Sequence, residues 1–580
     1  MLFNWMKRNN SVRIETIDLS QFQHNVKDGL LKRFWKNTLM KCWVNSEQHT
    51  KTKIGFFVIF NQFQSLNKNF LKQINLSDSN LKDDQVKCLG TMLKECSSLE
   101  SIDLSMNRKL GSGFKFIFDG LGFLAKCLKC INVSDCNLTE NEGKYLGKLL
   151  KKCKYIEDID LSYNWQMGYG FRLILNGLLL SANTLKQFKV SHCNLDMFQG
   201  IYLGRTLREF CSVVNIDISS NHKMELAVGF ICGTCRSFSK TLQQINISSC
   251  KLASDDAKIL GNTLQQCPSI VKLDLSNNSR IGKDEFQTIC DGLESSANTL
   301  KEINFSHCDL HEEQAISLGD TFQKCSSLEY INLNGNTNMG KGFQIICQGL
   351  LSSAKTLQQI NIYNCNLMDD DGKYLGNIFQ NSSLLNKLDM SSNPKIEKDG
   401  FQAIFQGLKS NVNSFKIINI DSCNIQKDQA IQLGNLLQEC TLLENIDLTN
   451  NPQMESCGFE AICNGLKQSA STLQIFSISE CYLKKDQLKH LENVLQHCTS
   501  LISIDLSSNV FNKYDIEMIC DALQSSNGTL KKIYVMDCFL QTQGKQEEAK
   551  EGEEEEFNLI RNKFQDCKVI YDKDFDIEYY

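Results

Sequence analysis

The stretch LKQINLSDSNL (residues 71–81) recurs along this chain with its apolar positions kept. It returns as LKCINVSDCNL from Leu128 and as LKQFKVSHCNL from Leu185. A second version has asparagine in place of the later cysteine, as in LESIDLSMN from Leu99 and IEDIDLSYN from Ile156. Both versions follow L-x-x-I-x-L-S-x-C/N, so one short motif alternates between two forms.

The spacing of the motif is nearly constant. The number of residues from the start of a first-form motif to the start of the next second-form motif is always the same. From a second-form motif to the next first-form motif it is larger by only one or two residues. The first form begins at Leu71, Leu128, Leu185, Leu242, Leu300, Leu357, Phe415, Leu473 and Leu530. The second begins at Leu99, Ile156, Val213, Ile270, Leu328, Leu385, Leu443 and Leu501. Nine repeats of one kind and eight of the other, seventeen in all, indicate a repeat array rather than several unrelated domains.

Each repeat has the pattern of a strand followed by a helix. The last two apolar residues of the motif lie two positions apart, so both face the same side of a short strand. Segments between motifs, such as GFQAIFQGLKS from Gly400, carry apolar residues at the three- and four-residue spacing of an amphipathic helix. Stacked repeats bury both apolar faces, so we predict an α/β solenoid with a parallel sheet on the concave face and helices on the convex face.

The alternation of a Cys-type and an Asn-type repeat resembles the ribonuclease-inhibitor class of leucine-rich repeats. The resemblance covers roughly residues 71–540 and implies a horseshoe-shaped leucine-rich-repeat array. It says little about function, because this repeat class serves many unrelated partners.

We expect three regions along the chain. Residues 1–70 are predicted to be an N-terminal cap of degenerate repeats, because IETIDLS from Ile14 lies as far before Leu71 as Leu128 lies after it, and GFFVIFNQFQS from Gly55 resembles the later helices. Residues 71–540 are the array of about 17 repeats. Residues 541–580 hold an acidic insertion, QEEAKEGEEEE at 546–556, and a C-terminal cap with a strand around residues 569–571.

Most of the 27 cysteines fall into columns of the repeat. Members of one column belong to every second strand, roughly 10 Å apart, which is too far for a disulfide and unlike the convergent ligands of zinc. We therefore predict buried thiols in a reducing compartment and no metal site. One column is the motif cysteine; another ends the helices of the Cys-type repeats at Cys96, Cys153, Cys211, Cys267, Cys325, Cys440 and Cys498.

Two further columns have structural interpretations. The motif asparagine is placed to form hydrogen bonds with the backbone where the chain leaves the sheet. The eight asparagines of this column are Asn107, Asn164, Asn221, Asn278, Asn336, Asn393, Asn451 and Asn509. A glycine recurs inside the helices of the Cys-type repeats, although glycine costs about 1 kcal/mol in a helix. Its recurrence indicates close packing against a neighbouring backbone. The seven glycines of this column are Gly90, Gly147, Gly204, Gly261, Gly319, Gly376 and Gly434.

One strand position is the first candidate for binding. The residue between the two apolar strand positions projects from the concave face, and in the Asn-type repeats it is Asp103, Asp160, Asp217, Asp274, Asn332, Asp389, Asp447 or Asp505. Together these residues form either a solvated Asn/Asp ladder or an acidic stripe that steers a basic partner. Lysines in the adjacent column are placed to neutralise the stripe: Lys72, Lys129, Lys186, Lys301, Lys416 and Lys531.

Aromatic residues near strand ends are the other candidates, because interface hot spots favour Tyr and Trp. They are Tyr163, Trp165, Tyr330, Tyr363 and Tyr534.

Several functions are disfavoured. The net charge of -5 argues against binding to nucleic acid or an anionic membrane. The start of the chain has no signal-peptide pattern and no stretch is long and apolar enough to span a bilayer, so we expect a cytoplasmic protein. The sequence holds no phosphate loop, metalloprotease motif or nucleophile elbow, so we expect no enzyme, catalytic residue or cofactor.

These observations favour a non-enzymatic protein-binding scaffold or regulator that uses the concave surface. A subunit of a larger cytoskeletal or axonemal assembly is one version of this hypothesis. The alternative is a GTPase activator: the Ran GTPase-activating protein has related repeats and an acidic C-terminal region, which this chain resembles without a matching residue-level signature.

Overall fold

The computed structural model describes residues 16–18, 71–81, 83–538, 560–561, 563–564 and 567–570. The chain divides into two compact units, an N-terminal unit, Met1–Ser296, and a C-terminal unit, Ala297–Tyr580. Most of the predicted cap in residues 1–70 and the acidic stretch at 546–556 lie outside the described residues.

The N-terminal unit alternates strands and helices. Its strands are β1 (Thr16–Asp18), β2 (Gln73–Asn75), β3 (Ser101–Asp103), β4 (Cys130–Asn132), β5 (Asp158–Asp160), β6 (Gln187–Lys189), β7 (Asn215–Asp217), β8 (Gln244–Asn246) and β9 (Lys272–Asp274). Its helices are α1 (Asp83–Glu95), α2 (Phe114–Leu121), α3 (Glu140–Leu150), α4 (Gly168–Leu178), α5 (Met197–Leu207), α6 (Ala227–Thr234), α7 (Ser254–Leu264) and α8 (Lys283–Leu293).

The C-terminal unit continues the same alternation. Its strands are β10 (Glu302–Asn304), β11 (Tyr330–Asn332), β12 (Gln359–Asn361), β13 (Lys387–Asp389), β14 (Ile417–Asn419), β15 (Asn445–Asp447), β16 (Ile475–Ser477), β17 (Ser503–Asp505), β18 (Lys532–Tyr534) and β19 (Lys568–Ile570). Its helices are α9 (Glu312–Lys324), α10 (Gly342–Leu350), α11 (Asp369–Asn381), α12 (Lys398–Leu408), α13 (Lys427–Leu437), α14 (Glu455–Leu466), α15 (Lys485–Leu495) and α16 (Lys513–Ala522).

Within each unit the strands are parallel and share one register. Ile74 of β2 pairs with Ile102 of β3, which pairs with Ile131 of β4. Ile331 of β11 pairs in the same way with Ile360 of β12. From β2 to β18, the middle residue of each strand is buried and its neighbours are at least partly exposed, which confirms the strand assignment made from the motif. Both units are α/β leucine-rich-repeat solenoids.

The end strands extend this register. In the N-terminal unit β1 pairs in parallel with β2, at the place of the IETIDLS segment. In the C-terminal unit β19 pairs in parallel with β18. The strand expected around residues 569–571 thus begins at Lys568 and ends at Ile570, with residue 571 outside the described residues.

The asparagine column binds the backbone, as predicted. Asn164 is fully buried, and its Nδ2 donates to the carbonyls of Val133 and Leu161, both at 2.8 Å. Its Oδ1 accepts from the backbone N–H groups of Cys136 and Leu138 at 3.2 and 2.9 Å. One amide therefore ties two successive repeats together at the point where the chain leaves the sheet.

The motif cysteines are core residues. Cys136 and Cys193 are buried, and their Sγ atoms lie 3.0 and 3.2 Å from the carbonyl oxygens of Leu104 and Leu161. Burial raises the pKa of each thiol to about 12. These thiols therefore stay protonated and unreactive near neutral pH.

The helix-ending column contains one wrong assignment. Cys211 is exposed, whereas the residue before it, Phe210, is buried. Phe210 lies as far after Leu185 as the buried Cys96 lies after Leu71. A phenylalanine therefore fills the cysteine position in that repeat, and the neighbouring thiol points to solvent.

The glycine column packs as predicted at six of its seven positions, where a Cβ atom would come closer than 3.0 Å to the backbone of the following helix. In α11, for example, the nearest backbone is that of Ala403 in α12. The exception is Gly204 in α5, which meets the ring of Phe230. No helix among the described residues is long and apolar enough to cross a membrane.

Candidate protein-binding surface

The predicted acidic column builds the turn that follows each strand. Asp103 Oδ1 accepts from Ser105 N–H at 2.8 Å and from Ser105 Oγ–H at 2.7 Å. In the alternate repeats an asparagine makes the same backbone contact, as Asn132 Oδ1 does with Ser134 N–H at 3.0 Å. Either an Asp or an Asn oxygen can accept this bond, which explains why both residues occur at the position. The same backbone bond forms at Asp160, Asp217, Asp274, Asp389, Asp447 and Asp505.

The lysine column does not neutralise this stripe as expected. Lys129 pairs with Glu100 at 2.7 Å, and Lys186 pairs with Glu157 at 2.6 Å. Lys301 and Lys416 likewise pair with glutamates, each at 2.7 Å. These glutamates occupy the same column on a neighbouring strand, so they are nearer to the lysine ammonium groups than the aspartates are.

In the N-terminal unit, other groups satisfy the second carboxylate oxygen. Asp103 Oδ2 accepts from Asn132 Nδ2 at 3.0 Å, and Asp217 Oδ2 accepts from Asn246 Nδ2 at 3.1 Å. Asp160 Oδ2 lies 3.9 Å from Lys189 Nζ. The acidic column of this unit is therefore largely partnered within the sheet.

The C-terminal unit carries a denser group of carboxylates, which we call the acidic surface: Asp389, Asp421, Asp447, Glu480 and Asp505. The pKa of Asp447 is raised, first by burial and then by the negative charges of Asp421 and Asp505. Burial also raises the pKa values of Asp421 and Asp505. The ion pairs described in this unit use other carboxylates, such as Glu444 and Asp428. The acidic surface therefore holds mutually repelling negative charge.

A shallow groove of about 430 Å³ lies at the strand ends of this unit and is lined by Thr337, Asn364, Asn366, Ser392, Pro394 and Ser422. Ser422 Oγ–H donates to Asp421 Oδ1 at 2.7 Å, which joins the groove to the acidic surface. Tyr363, one of the predicted candidates, directly precedes Asn364 and is half-buried. The groove thus offers amide and hydroxyl groups next to negative charge.

The other aromatic candidates are dispersed. Tyr330 and Tyr534 are half-buried, on β11 and β18. In the N-terminal unit Tyr163 and Trp165 are exposed, and the Tyr163 ring stacks on His192 with centroids 4.3 Å apart and planes at 9°. The motif comparison did not predict His192 as a partner of Tyr163, although the two residues share one repeat position.

That shared position has a feature which the sequence reasoning missed. From Asp78 to Asp537, the residue just before the motif cysteine or asparagine has a positive φ in every repeat. The residue at this position is mostly Ser, Asn or Asp, and Asn and Asp are among the residues that tolerate the left-handed region. Five repeats have a larger side chain at this position, which costs roughly 1–2 kcal/mol of backbone strain. These residues are Met106, Tyr163, His192, His307 and Glu480. Strain of this kind is a reason to examine a residue for function.

The comparisons with known proteins agree with this architecture. Ribonuclease inhibitor from Mus musculus is 24% identical over 422 residues, which are 72% of this chain and 92% of the mouse protein. The chain is a leucine-rich-repeat protein related to ribonuclease inhibitor. Ribonuclease inhibitor from Sus scrofa is 22% identical over 409 residues, 70% of this chain and 89% of the pig protein.

Two other similarities differ in how much of each chain they cover. NACHT, LRR and PYD domains-containing protein 14 from Mus musculus is 24% identical over 271 residues, but these cover 47% of this ribonuclease-inhibitor-like chain and 27% of that protein. A chain in the crystal structure of the yeast Rad7 and Elc1 complex matches with a TM-score of 0.40 and 11% identity over 89% of this chain and 95% of that one. No family model matches the chain.

Among the described residues, no three His, Cys, Asp or Glu side chains are grouped to hold a metal ion.

Proposed function

We propose that this chain is a non-enzymatic protein-binding scaffold or regulator whose acidic surface binds a basic segment of a partner protein. The relatives named ribonuclease inhibitor act, by that name, on a protein. The observation that carries the proposal is the set of half-buried, mutually repelling carboxylates at Asp421, Asp447 and Asp505.

A basic partner would relieve the repulsion at this surface. Each of these three carboxylates is partly desolvated in the unbound protein, so part of the desolvation that binding requires has already occurred. Arginine suits such a surface because its planar guanidinium reaches a carboxylate through two N–H groups. The groove beside Asp421 adds neutral hydrogen-bonding groups, and Tyr363 supplies an aromatic anchor near it.

The proposal places the chain in a reducing compartment such as the cytosol, because the motif cysteines Cys136 and Cys193 are buried thiols that form no disulfide. The acidic surface would bind a basic segment in the same way whether the chain is a free regulator or a subunit of a cytoskeletal or axonemal assembly. The identity of the bound partner distinguishes these two settings.

The test is affinity capture with the full chain, followed by mass spectrometry. One variant carries Asp421→Asn, Asp447→Asn and Asp505→Asn, which removes charge but keeps the oxygen that accepts from the turn. The matched control carries Asp103→Asn, Asp160→Asn and Asp217→Asn in the N-terminal unit. We expect a salt-sensitive partner to be lost with the first variant and kept with the control. Equal capture by both variants and the unmodified chain would refute the proposal.

A further inference from the structure

The helix starts of the N-terminal unit carry an unusual group of side chains. When the repeats are aligned on the first motif residue, the position occupied by Ser112 is polar in most described repeats: Ser112, Asn141, Asp255, Lys283, Glu313, Lys341, Asp370, Lys398, Asp428, Ser456 and Asp486. In three successive repeats it is Tyr169, Phe198 and Leu226, exposed by 54%, 75% and 70%. Exposed apolar side chains grouped in this way commonly mark an interaction site.

These three side chains lie on neighbouring helix starts. Gln199, next to Phe198, donates from Nε2 to the carbonyl of Gly168, next to Tyr169, at 2.9 Å. Gly200 packs so close to Ala227, next to Leu226, that a Cβ on Gly200 would lie 2.6 Å from the Ala227 Cβ. The apolar residues therefore follow one another across α4, α5 and α6.

Two arginines contact aromatic rings of the same three helices. The Arg172 guanidinium lies over the Tyr169 and Tyr202 rings, 5.8 and 4.5 Å from their centroids. Arg208 lies over the Phe230 ring at 4.8 Å. Arg205 is exposed near Arg208, at the end of α5. Ion pairs described in this unit join other groups, such as Arg108 with Asp135 and Lys186 with Glu157.

We infer that this surface, formed by Tyr169, Arg172, Phe198, Arg208 and Leu226, binds an acidic segment of a partner protein that also carries apolar side chains. Stacking on an aromatic ring holds a guanidinium in place while its N–H edge remains able to donate to a carboxylate. The adjacent Phe198 and Leu226 side chains supply the apolar contacts that anchor such a segment.

The same observations favour a peptide over single-stranded nucleic acid. Bases stack on free aromatic faces, but Arg172 already covers a face of Tyr202 and Arg208 covers a face of Phe230. Leu226 is aliphatic and offers no ring for stacking. This surface is separate from the acidic surface and binds the opposite charge, so either proposal can fail without the other.

The test is selection of displayed random peptides on the full chain, followed by fluorescence anisotropy with the selected peptides and with a single-stranded oligonucleotide. The first variant carries Phe198→Asp and Leu226→Asp, the residue type that other repeats hold at this position, so the fold is kept. The second variant carries Arg172→Gln and Arg208→Gln. The matched control is Tyr514→Asp, which changes the same repeat position in the C-terminal unit, where the side chain is 68% exposed.

We expect the selected peptides to combine Asp or Glu with Phe, Leu or Trp. Each variant should weaken their binding about tenfold or more, whereas Tyr514→Asp should leave it unchanged. Peptides without acidic residues, or binding that survives Phe198→Asp/Leu226→Asp, would overturn the inference. Oligonucleotide binding that is lost only with the arginine variant, in the absence of peptide binding, would overturn it in favour of nucleic acid.

Discussion

The N-terminal and C-terminal units are built from the same repeat, but they differ in the charge that their surfaces leave unpaired. In the N-terminal unit, Asn132 and Asn246 donate to the strand carboxylates, and the helix side carries arginines stacked on aromatic rings. In the C-terminal unit the carboxylates of Asp447 and Asp505 repel one another. Residues that hold the repeat together are shared, so variation in the remaining columns gives each unit its own surface charge.

Loss of a column asparagine should have the largest effect and the same effect in both units. Asn221→Ala and Asn393→Ala each remove an amide that bonds five backbone groups. Unpaired buried groups cost about 1–3 kcal/mol each, and with partial relaxation we expect a loss of about 3–5 kcal/mol in the free energy of local opening. Hydrogen exchange measures this, because a long repeat array does not unfold in two states.

The control is Asn377→Ala, since that side chain is exposed on α11 and should change the opening free energy by less than about 0.5 kcal/mol. A strongly unequal loss at Asn221 and Asn393 would mean that the two units do not share one scaffold.

The glycine column should give the next largest effect. Gly376→Ala places a methyl group against the backbone of Ala403, and Gly261→Ala does the same against Thr288. Overpacking of this kind costs about 1–3 kcal/mol, which thermal unfolding would show as a lower Tm in each case. Gly528→Ala is the matched control, because its Cβ would meet nothing within 4 Å. A fall in Tm with Gly528→Ala equal to that of the other two would remove the packing explanation.

The acidic surface should make the C-terminal unit respond to pH. A carboxyl whose pKa is raised by folding holds its proton longer in the folded state, so stability falls as pH rises from the ordinary Asp value of about 3.9 through the raised values. Asp421→Asn/Asp447→Asn/Asp505→Asn should abolish this fall and increase stability at neutral pH by up to about 1 kcal/mol. The comparison is made by thermal unfolding at a series of pH values.

The matched variant Asp103→Asn/Asp160→Asn/Asp217→Asn should give no such gain, because Asp103 and Asp217 accept from Asn132 and Asn246, and Asp160 forms an ion pair with Lys189 at 3.9 Å. Equal gains from both variants would show that the two acidic columns do not differ.

The smallest effect is expected at the left-handed position. Met106→Asn relieves strain at a φ of 59° and should stabilise the N-terminal unit by about 0.5–1 kcal/mol. The reverse change, Asn364→Met at a φ of 49° in the C-terminal unit, should destabilise by a similar amount. Chemical unfolding of the two variants checks the sign, and two changes of the same sign would contradict the strain argument.

Much of the fold could be predicted from the sequence because the repeat places each residue in a column with one environment. Asn164 and Cys136 were assigned in this way. The assignment failed at Cys211, because Phe210 occupies the column position in that repeat and the cysteine is the residue after it, on the surface. A column is defined by its distance from the start of the motif, so a residue one position away from it can have a different environment.

The proposed binding surfaces were harder to predict, because they depend on contacts between columns. The sequence places Lys129 on the strand side of its repeat. It does not show that Lys129 pairs with Glu100 and not with Asp103, because this depends on the distance between neighbouring strands. The row of Tyr169, Phe198 and Leu226 is visible in the sequence only after the helix starts are aligned, and its exposure required the structure.

The most direct test of the central claim is the affinity of the captured partner for the two triple Asp→Asn variants, measured by calorimetry at low and high salt. We predict that the C-terminal variant binds at least about tenfold more weakly at low salt, that high salt narrows the difference, and that the N-terminal variant binds like the unmodified chain. Equal affinity of both variants for the partner at low salt would contradict the claim that the acidic surface carries binding.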